Sequence, residues 1–213
     1  MVVSKDWFWW WKKAISVYQF CPKLAGFTLS FQGGIQASRT RAPILRPHLQ
    51  KEDSFPPKNS VPYLYALPGS HGFAPIPHVW RSFVQWYRVK AVEYKNGQFK
   101  PYVAGLTCTK WFKEFEARGQ QFERMWTQWF IYFVNQQNLY TLYAPSYRVL
   151  NGQTNDRIGF IIHDGTHASD NRLTKKANAL KFATRADARF PAVLKRYEWD
   201  PWNSSVNVVA GRA

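Results

Sequence analysis

Two histidines flank a carboxylate in Ile161-Ile162-His163-Asp164-Gly165-Thr166-His167. Imidazole and carboxylate suit Zn²⁺ or iron. Asp164-Gly165 favours a turn, however, so the pair does not share one face as two histidines at i, i+4 on a helix would. The segment reads as an Asp-Gly turn with two incidental histidines, and no metal ligand is assigned. Pro68-Gly69-Ser70-His71-Gly72 has a serine beside a histidine but departs from Gly-x-Ser-x-Gly, and a proline-rich turn explains it. Neither a Gly-x-Gly-x-x-Gly nor a phosphate-binding loop occurs, and the 13 acids are scattered. No catalytic residue and no cofactor follow from these patterns. The chain reads as a binding or assembly component, not an enzyme, with no small-molecule substrate expected.

The basic residues are more specific. Between Arg172 and Arg196 lie Arg172, Lys175, Lys176, Lys181, Arg185, Arg189, Lys195 and Arg196 against the single acid Asp187. A solvated helix face usually alternates sign; this run does not, and it suits phosphates of RNA or of anionic lipids such as cardiolipin. Lys12 and Lys13 add a second basic site. The whole chain carries 29 Lys and Arg against 13 Asp and Glu, a formal net charge of +16, so its partner is expected to be polyanionic.

Eleven Trp, eleven Tyr and 16 Phe in 213 residues supply more ring area than one ordinary core needs. Such rings mark protein interfaces and the headgroup zone of membranes. Trp7, Trp10, Trp11, Trp126 and Trp129 are the candidate interface or membrane aromatics. Cys21 and Cys108 are far apart and form no Cys-x-x-Cys, so a reducing compartment is the default. From Trp7 to Lys51 there is no acid, while lysines and arginines recur, a pattern that mitochondrial import favours.

These residues need elements to position them. Residues 6–20 predict an amphipathic helix with Trp7, Trp10, Trp11, Ala14, Ile15, Val17 and Tyr18 on one broad face and Lys12, Ser16 and Gln19 opposite, where Trp9 and Phe20 break the polar face. A membrane interface, a partner's groove and the protein's own core are equal expectations for its apolar side. Eight of the 13 prolines fall between Pro43 and Pro77, which predicts an extended arm lying over a surface. Asn96-Gly97 between two alternating runs, Tyr87–Tyr94 and Gln98–Val103, predicts a β-hairpin. Trp111, Phe115, Phe122, Trp126, Trp129 and Phe133 recur at spacings that predict one long aromatic amphipathic helix from about Thr109. Gly119 is its weak point. No charge occurs from Met125 through Tyr147, a run long enough to span a bilayer, but Asn135-Gln136-Gln137-Asn138 interrupts it and a helix ending near Asn138 is preferred. Further on, a strand pair is expected at 147–150 and 157–162, then a short strand at 179–183. A basic C-terminal helix is expected from Thr184 to about Tyr197, and an irregular tail follows.

The run Leu180-Lys181-Phe182-Ala183-Thr184-Arg185-Ala186-Asp187-Ala188, followed by Tyr197-Glu198-Trp199, resembles an element of an accessory-subunit family of respiratory complex I. It lacks that family's glycine before the tryptophan and carries Pro191 in the helix, so no site is carried over.

The expected fold is α+β: a small antiparallel sheet, a long aromatic amphipathic helix and a C-terminal basic helix, flanked by extended proline-rich arms. The expected organisation is an N-terminal helix and arm (1–80), an α+β domain (81–200) and a tail (201–213). The function expected is a non-catalytic accessory subunit of a large mitochondrial inner-membrane complex, of respiratory-chain or ATP synthase type, peripheral or partly embedded. Its expected partners are neighbouring subunits and anionic lipid. The alternative is a mitochondrial ribosomal protein contacting RNA through its basic patches.

Overall fold

The computed structural model describes residues 2–3, 6–29, 61–69, 72–104, 106–119, 125–144, 147–148, 157–158, 161–162, 189–200 and 205–212. In chain order the elements are β1 (Val2–Val3), α1 (Trp7–Tyr18), β2 (Leu24–Thr28), β3 (Tyr63–Tyr65), β4 (Phe73–Pro75) and α2 (Pro77–Lys95). Then come α3 (Thr107–Ala117), α4 (Trp126–Gln136), β5 (Tyr140–Tyr143), β6 (Tyr147–Arg148), β7 (Arg157–Ile158), β8 (Ile161–Ile162), β9 (Val193–Asp200) and β10 (Ser205–Arg212).

The class is α+β, but the sheet is mixed and not antiparallel. Six strands run in the order β10-β9-β3-β5-β2-β4. β2 pairs β5 in parallel and β3 pairs β9 in parallel, while the other three pairings are antiparallel. Parallel neighbours need long crossover connections, and α2, α3 and α4 lie within the one between β2 and β5. β2, β3 and β4 therefore join the same sheet as β5 and β9, although all three fall in the span expected to hold only a helix and an arm. Of that arm, residues 30–60 lie outside the described residues. Two short antiparallel pairs, β1–β8 and β6–β7, stand apart from the sheet, and the second matches the strand pair expected at 147–162.

The predicted hairpin at Tyr87–Val103 is replaced by a helix. α2 begins with Pro77 in its first turn, where the missing N–H costs nothing, and runs 19 residues to Lys95. Asn96-Gly97 is its stop signal. Gly97 has φ +73°, its N–H donates to the Tyr94 carbonyl at 3.0 Å, and the Gln98 N–H donates to the Glu93 carbonyl at 2.8 Å. That is the paired closure of a helix by a left-handed residue. A tight hairpin turn and a helix terminus both require positive φ, so the dipeptide alone cannot separate them.

The single long aromatic helix is two helices. α3 ends at Ala117, and Gly119, just past its cap, has φ +64° and an N–H that bonds the Glu116 carbonyl at 3.0 Å. α4 ends as expected beside Asn138, which takes φ +51° while the Leu139 N–H closes on the Val134 carbonyl at 3.0 Å. The chain then enters β5, with the Tyr140 N–H donating to the Lys23 carbonyl at 2.8 Å. The C-terminal basic helix is corrected over its second half: Val193–Asp200 is strand β9, paired along eight positions with β10, which occupies the expected irregular tail. Pro191 removes a helical donor just before β9. The first half of that helix and the strand at 179–183 lie outside the described residues.

The principal core gathers buried side chains of α1, β2, β3, α2, α3, α4, β5 and β9. Trp129 sits at its centre. Its ring meets those of Trp86, Tyr87, Tyr94, Phe99 and Phe112 at centroid distances of 5.0–6.4 Å. Because successive strand residues point to opposite faces, Leu64 enters this core while Tyr63 and Tyr65 join Tyr143, Leu67, Leu106 and Ile131 in a second cluster. Gly26 lets β4 approach β2, since a Cβ there would stand 2.6 Å from the Phe73 ring and 2.8 Å from the Ala74 carbonyl.

Candidate interaction surface

α1 divides its residues between two rows. Trp10, Ala14 and Tyr18, at i, i+4 and i+8, are buried against the core. Phe8, Lys12, Ser16 and Phe20 repeat the same spacing on the other side and are all exposed. Phe20 is 87% exposed and Phe8 51%, the first just past the helix and the second in its first turn. The broad aromatic stripe read from the sequence is thus largely the anchor to the protein's own core, and the side read as polar carries the most exposed rings. Trp7, at 37%, lies edge-on to Phe8 at 5.5 Å; Trp11, half-buried, stacks on Phe8 at 6.0 Å.

Charge on this surface has one sign. Lys12, Lys13 and the following Lys23 are exposed. None forms an ion pair with a described residue. The nearest acid in sequence, Asp6, is buried at the helix start, where its carbonyl accepts the Trp10 N–H at 3.1 Å.

α1 is pinned from the far end of the chain. The Tyr18 hydroxyl donates to the Pro191 carbonyl at 2.7 Å, and Trp9 and Tyr18 both pack on Phe190. Burial pushes the Tyr18 hydroxyl well above the ordinary tyrosine range. The inward row is consequently fixed over the length of the helix, and the outward row is held in one orientation.

Other exposed apolar side chains are more scattered. Trp111 and Phe115 lie one turn apart on α3 beside exposed Lys110, and Val89 and Val92 lie on the outer side of α2 beside Arg88. Trp126, 37% exposed, is half-covered by stacking on Phe73 and edge contact with Trp80. Trp10 and Trp129 are fully buried, so they serve the core and not a surface. Of the expected polyanion contacts, Lys12, Lys13 and Arg189 are exposed; Arg172, Lys175, Lys176, Lys181 and Arg185 lie outside the described residues. His163, Asp164 and His167 also lie outside them, as do Ser70 and His71.

Two polar constellations sit inside the helical layer. Glu116 on α3 accepts hydrogen bonds from Tyr94 on α2 at 2.6 Å and from Lys100 and Tyr102 in the connecting loop. Burial alone would raise the Glu116 carboxyl; the bonds from Lys100, Tyr102 and Tyr94, with the Lys100 charge, outweigh it and hold the group below the usual range. Burial first, then the hydrogen bond to Glu116 and its charge, push the Tyr102 hydroxyl up to about 12. Lys100 also lies over the Tyr94 ring and Lys113 over the Tyr102 ring, at 4.5 and 4.4 Å. The bonds from Tyr94, Lys100 and Tyr102 to Glu116 tie α2, loop and α3 together. Gln128 plays a similar part deeper in, donating to the Pro101 carbonyl and to Thr109 Oγ1.

The second cluster borders a small recess lined by Leu67, Val103, Leu106, Ile131, Asn135 and Asn138 among others, with no carboxylate, histidine, lysine or arginine among the described residues that line it. Cys108 packs against the same cluster, and burial raises its thiol, which disfavours the reactive thiolate. Among the described residues no three His, Cys, Asp or Glu side chains are grouped as metal ligands, and no helix is long and apolar enough to cross a membrane.

No family model matches the chain, and neither does a curated protein or a solved structure.

Proposed function

We propose that this protein is a non-catalytic accessory component of a larger assembly, held in place by its outward aromatic and basic side chains. The observation that carries the reading is α1. A helix locked to the core along one row presents Phe8, Lys12 and Phe20 along the other with Lys13 beside them, and neither lysine pairs with an acid among the described residues. The exposed Trp111–Phe115 pair on α3 adds a second point of contact of the same composition. The Glu116 carboxylate and the Gln128 amide nitrogen are engaged in joining elements.

The setting we propose is the mitochondrial inner membrane, as a peripheral subunit of a respiratory-chain or ATP synthase type complex. The acid-free stretch from Trp7 to Lys51 and the net charge of +16 support that compartment and a polyanionic neighbourhood.

Purification of the tagged full chain from mitochondria in mild detergent is the direct test. The expected result is co-purification of a defined set of inner-membrane subunits and migration with them as one species on a native gel. Recovery with ribosomal RNA and ribosomal proteins would establish the ribosomal alternative instead. Migration as a lone monomer outside mitochondria would remove both.

A further inference from the structure

We propose that the outer row of α1 seats on the surface of an anionic phospholipid bilayer, the helix lying in the plane of the headgroups. This deepens the accessory-subunit reading, on which it rests, by assigning one partner to one face. The row Phe8, Lys12, Ser16, Phe20 places an exposed ring at each end, about 18 Å apart by the helical rise, with a lysine and a hydroxyl between them. Lys13 lies beside the row, and Lys23 is exposed three residues past Phe20. That order of groups matches an interfacial helix: rings enter the boundary between headgroups and acyl chains while lysine stems lie along the apolar surface and place their ammonium groups among phosphates. The buried row Trp10, Ala14, Tyr18 keeps the helix axis parallel to the protein surface, so both rings reach a plane together.

Charge complementarity selects the occupant. The exposed lysines have no ion-pair partner on a described residue, and the chain offers no acid from Trp7 to Lys51. Nucleic acid has the same sign as anionic lipid but would need ring faces splayed open to receive bases. Here Phe8 and Trp11 stack on each other with an interplanar angle of 29° and Trp7 meets Phe8 in an edge contact, so Phe20 is the one ring of the row left open to a base. A plane of lipid asks only for protruding edges.

Vesicle co-sedimentation of the full chain decides the matter, using phosphatidylcholine alone, phosphatidylcholine with phosphatidylglycerol, and phosphatidylcholine with cardiolipin. We expect binding to both anionic preparations and little to phosphatidylcholine alone, with loss on raising salt. Tighter binding to cardiolipin at equal phosphate charge would identify the diphosphate headgroup as the preferred source; equal binding would assign phosphate charge in general. The double variants F8A/F20A and K12E/K13E should each lower binding roughly tenfold or more with unchanged circular dichroism. V89A/V92A, on the outer side of α2, should leave it unchanged. Absence of binding to anionic vesicles, equal binding to phosphatidylcholine, or an equal loss in V89A/V92A would overturn the proposal. Capture of poly-uridylate that F8A/F20A abolishes, without vesicle binding, would overturn it in favour of base stacking. Failure on vesicles alongside intact co-purification removes lipid as the partner of α1 and leaves the subunit reading standing.

Discussion

Glu116 is an acid that the sequence presents as one of several in a charged helix, and the fold turns it into a junction. Three donors from two other segments converge on it, so its proton affinity falls although burial works the other way. A carboxyl whose folded pKa is depressed contributes stability that is present above its unfolded value and lost as pH falls through the folded one. Glu116→Gln should therefore lower the melting temperature at neutral pH, by the equivalent of about 1 kcal/mol for a partly exposed charged cluster, and should flatten the acid limb of stability against pH. An identical acid limb in the variant would show that the junction contributes nothing. Tyr102 works in the opposite direction. Its hydroxyl is raised to about 12, so its contribution is complete below the ordinary tyrosine value and disappears only as pH rises through about 12.

At the scale of elements, Asn96-Gly97 has the chemistry of a hairpin turn and serves as the stop of α2. Gly97 has open space around the position a Cβ would take, so only its positive φ restricts substitution. Gly97→Ala should destabilise the protein by about 1–2 kcal/mol through the left-handed backbone alone. Gly97→Asn should recover part of the loss, because Asn tolerates that region; Asn138 holds the equivalent position at the end of α4. Denaturant midpoints at constant slope measure both. Gly119 was legible as a weak point, and the structure makes it a boundary: with φ +64° it separates α3 from α4. The aromatic periodicity ran through that boundary although its members face different ways: Trp111 and Phe115 are exposed on α3 while Trp129 and Phe133 are buried on α4, so spacing alone reports neither a shared face nor continuity.

Across the whole molecule, the decisive contacts join residues far apart in the chain. β9 reaches the middle of the sheet to pair with β3, and the Pro191 carbonyl just before it receives the Tyr18 hydroxyl. Tyr18→Phe keeps the ring and deletes that one bond between α1 and the C-terminal segment. We expect a loss of about 1–2 kcal/mol and faster amide hydrogen exchange along α1 than along α4. Equal acceleration in both helices would indicate a global effect and not a local anchor.

What the sequence determined by itself was composition and local pattern: a basic, ring-rich α+β chain, an amphipathic helix at 6–20, a helix end at Asn138 and a strand pair about 147–162. These rest on charge, periodicity and termination signals within a few residues of one another. Tertiary structure decided which row of α1 faces inward, that the sheet is mixed, and that Tyr87–Lys95 is helix while Val193–Asp200 is strand. A row of Trp, Ala and Tyr and a row of Phe, Lys, Ser and Phe are both amphipathic enough to be buried or exposed. The choice between them is made by partners such as Pro191 and Phe190, more than 170 residues away along the chain.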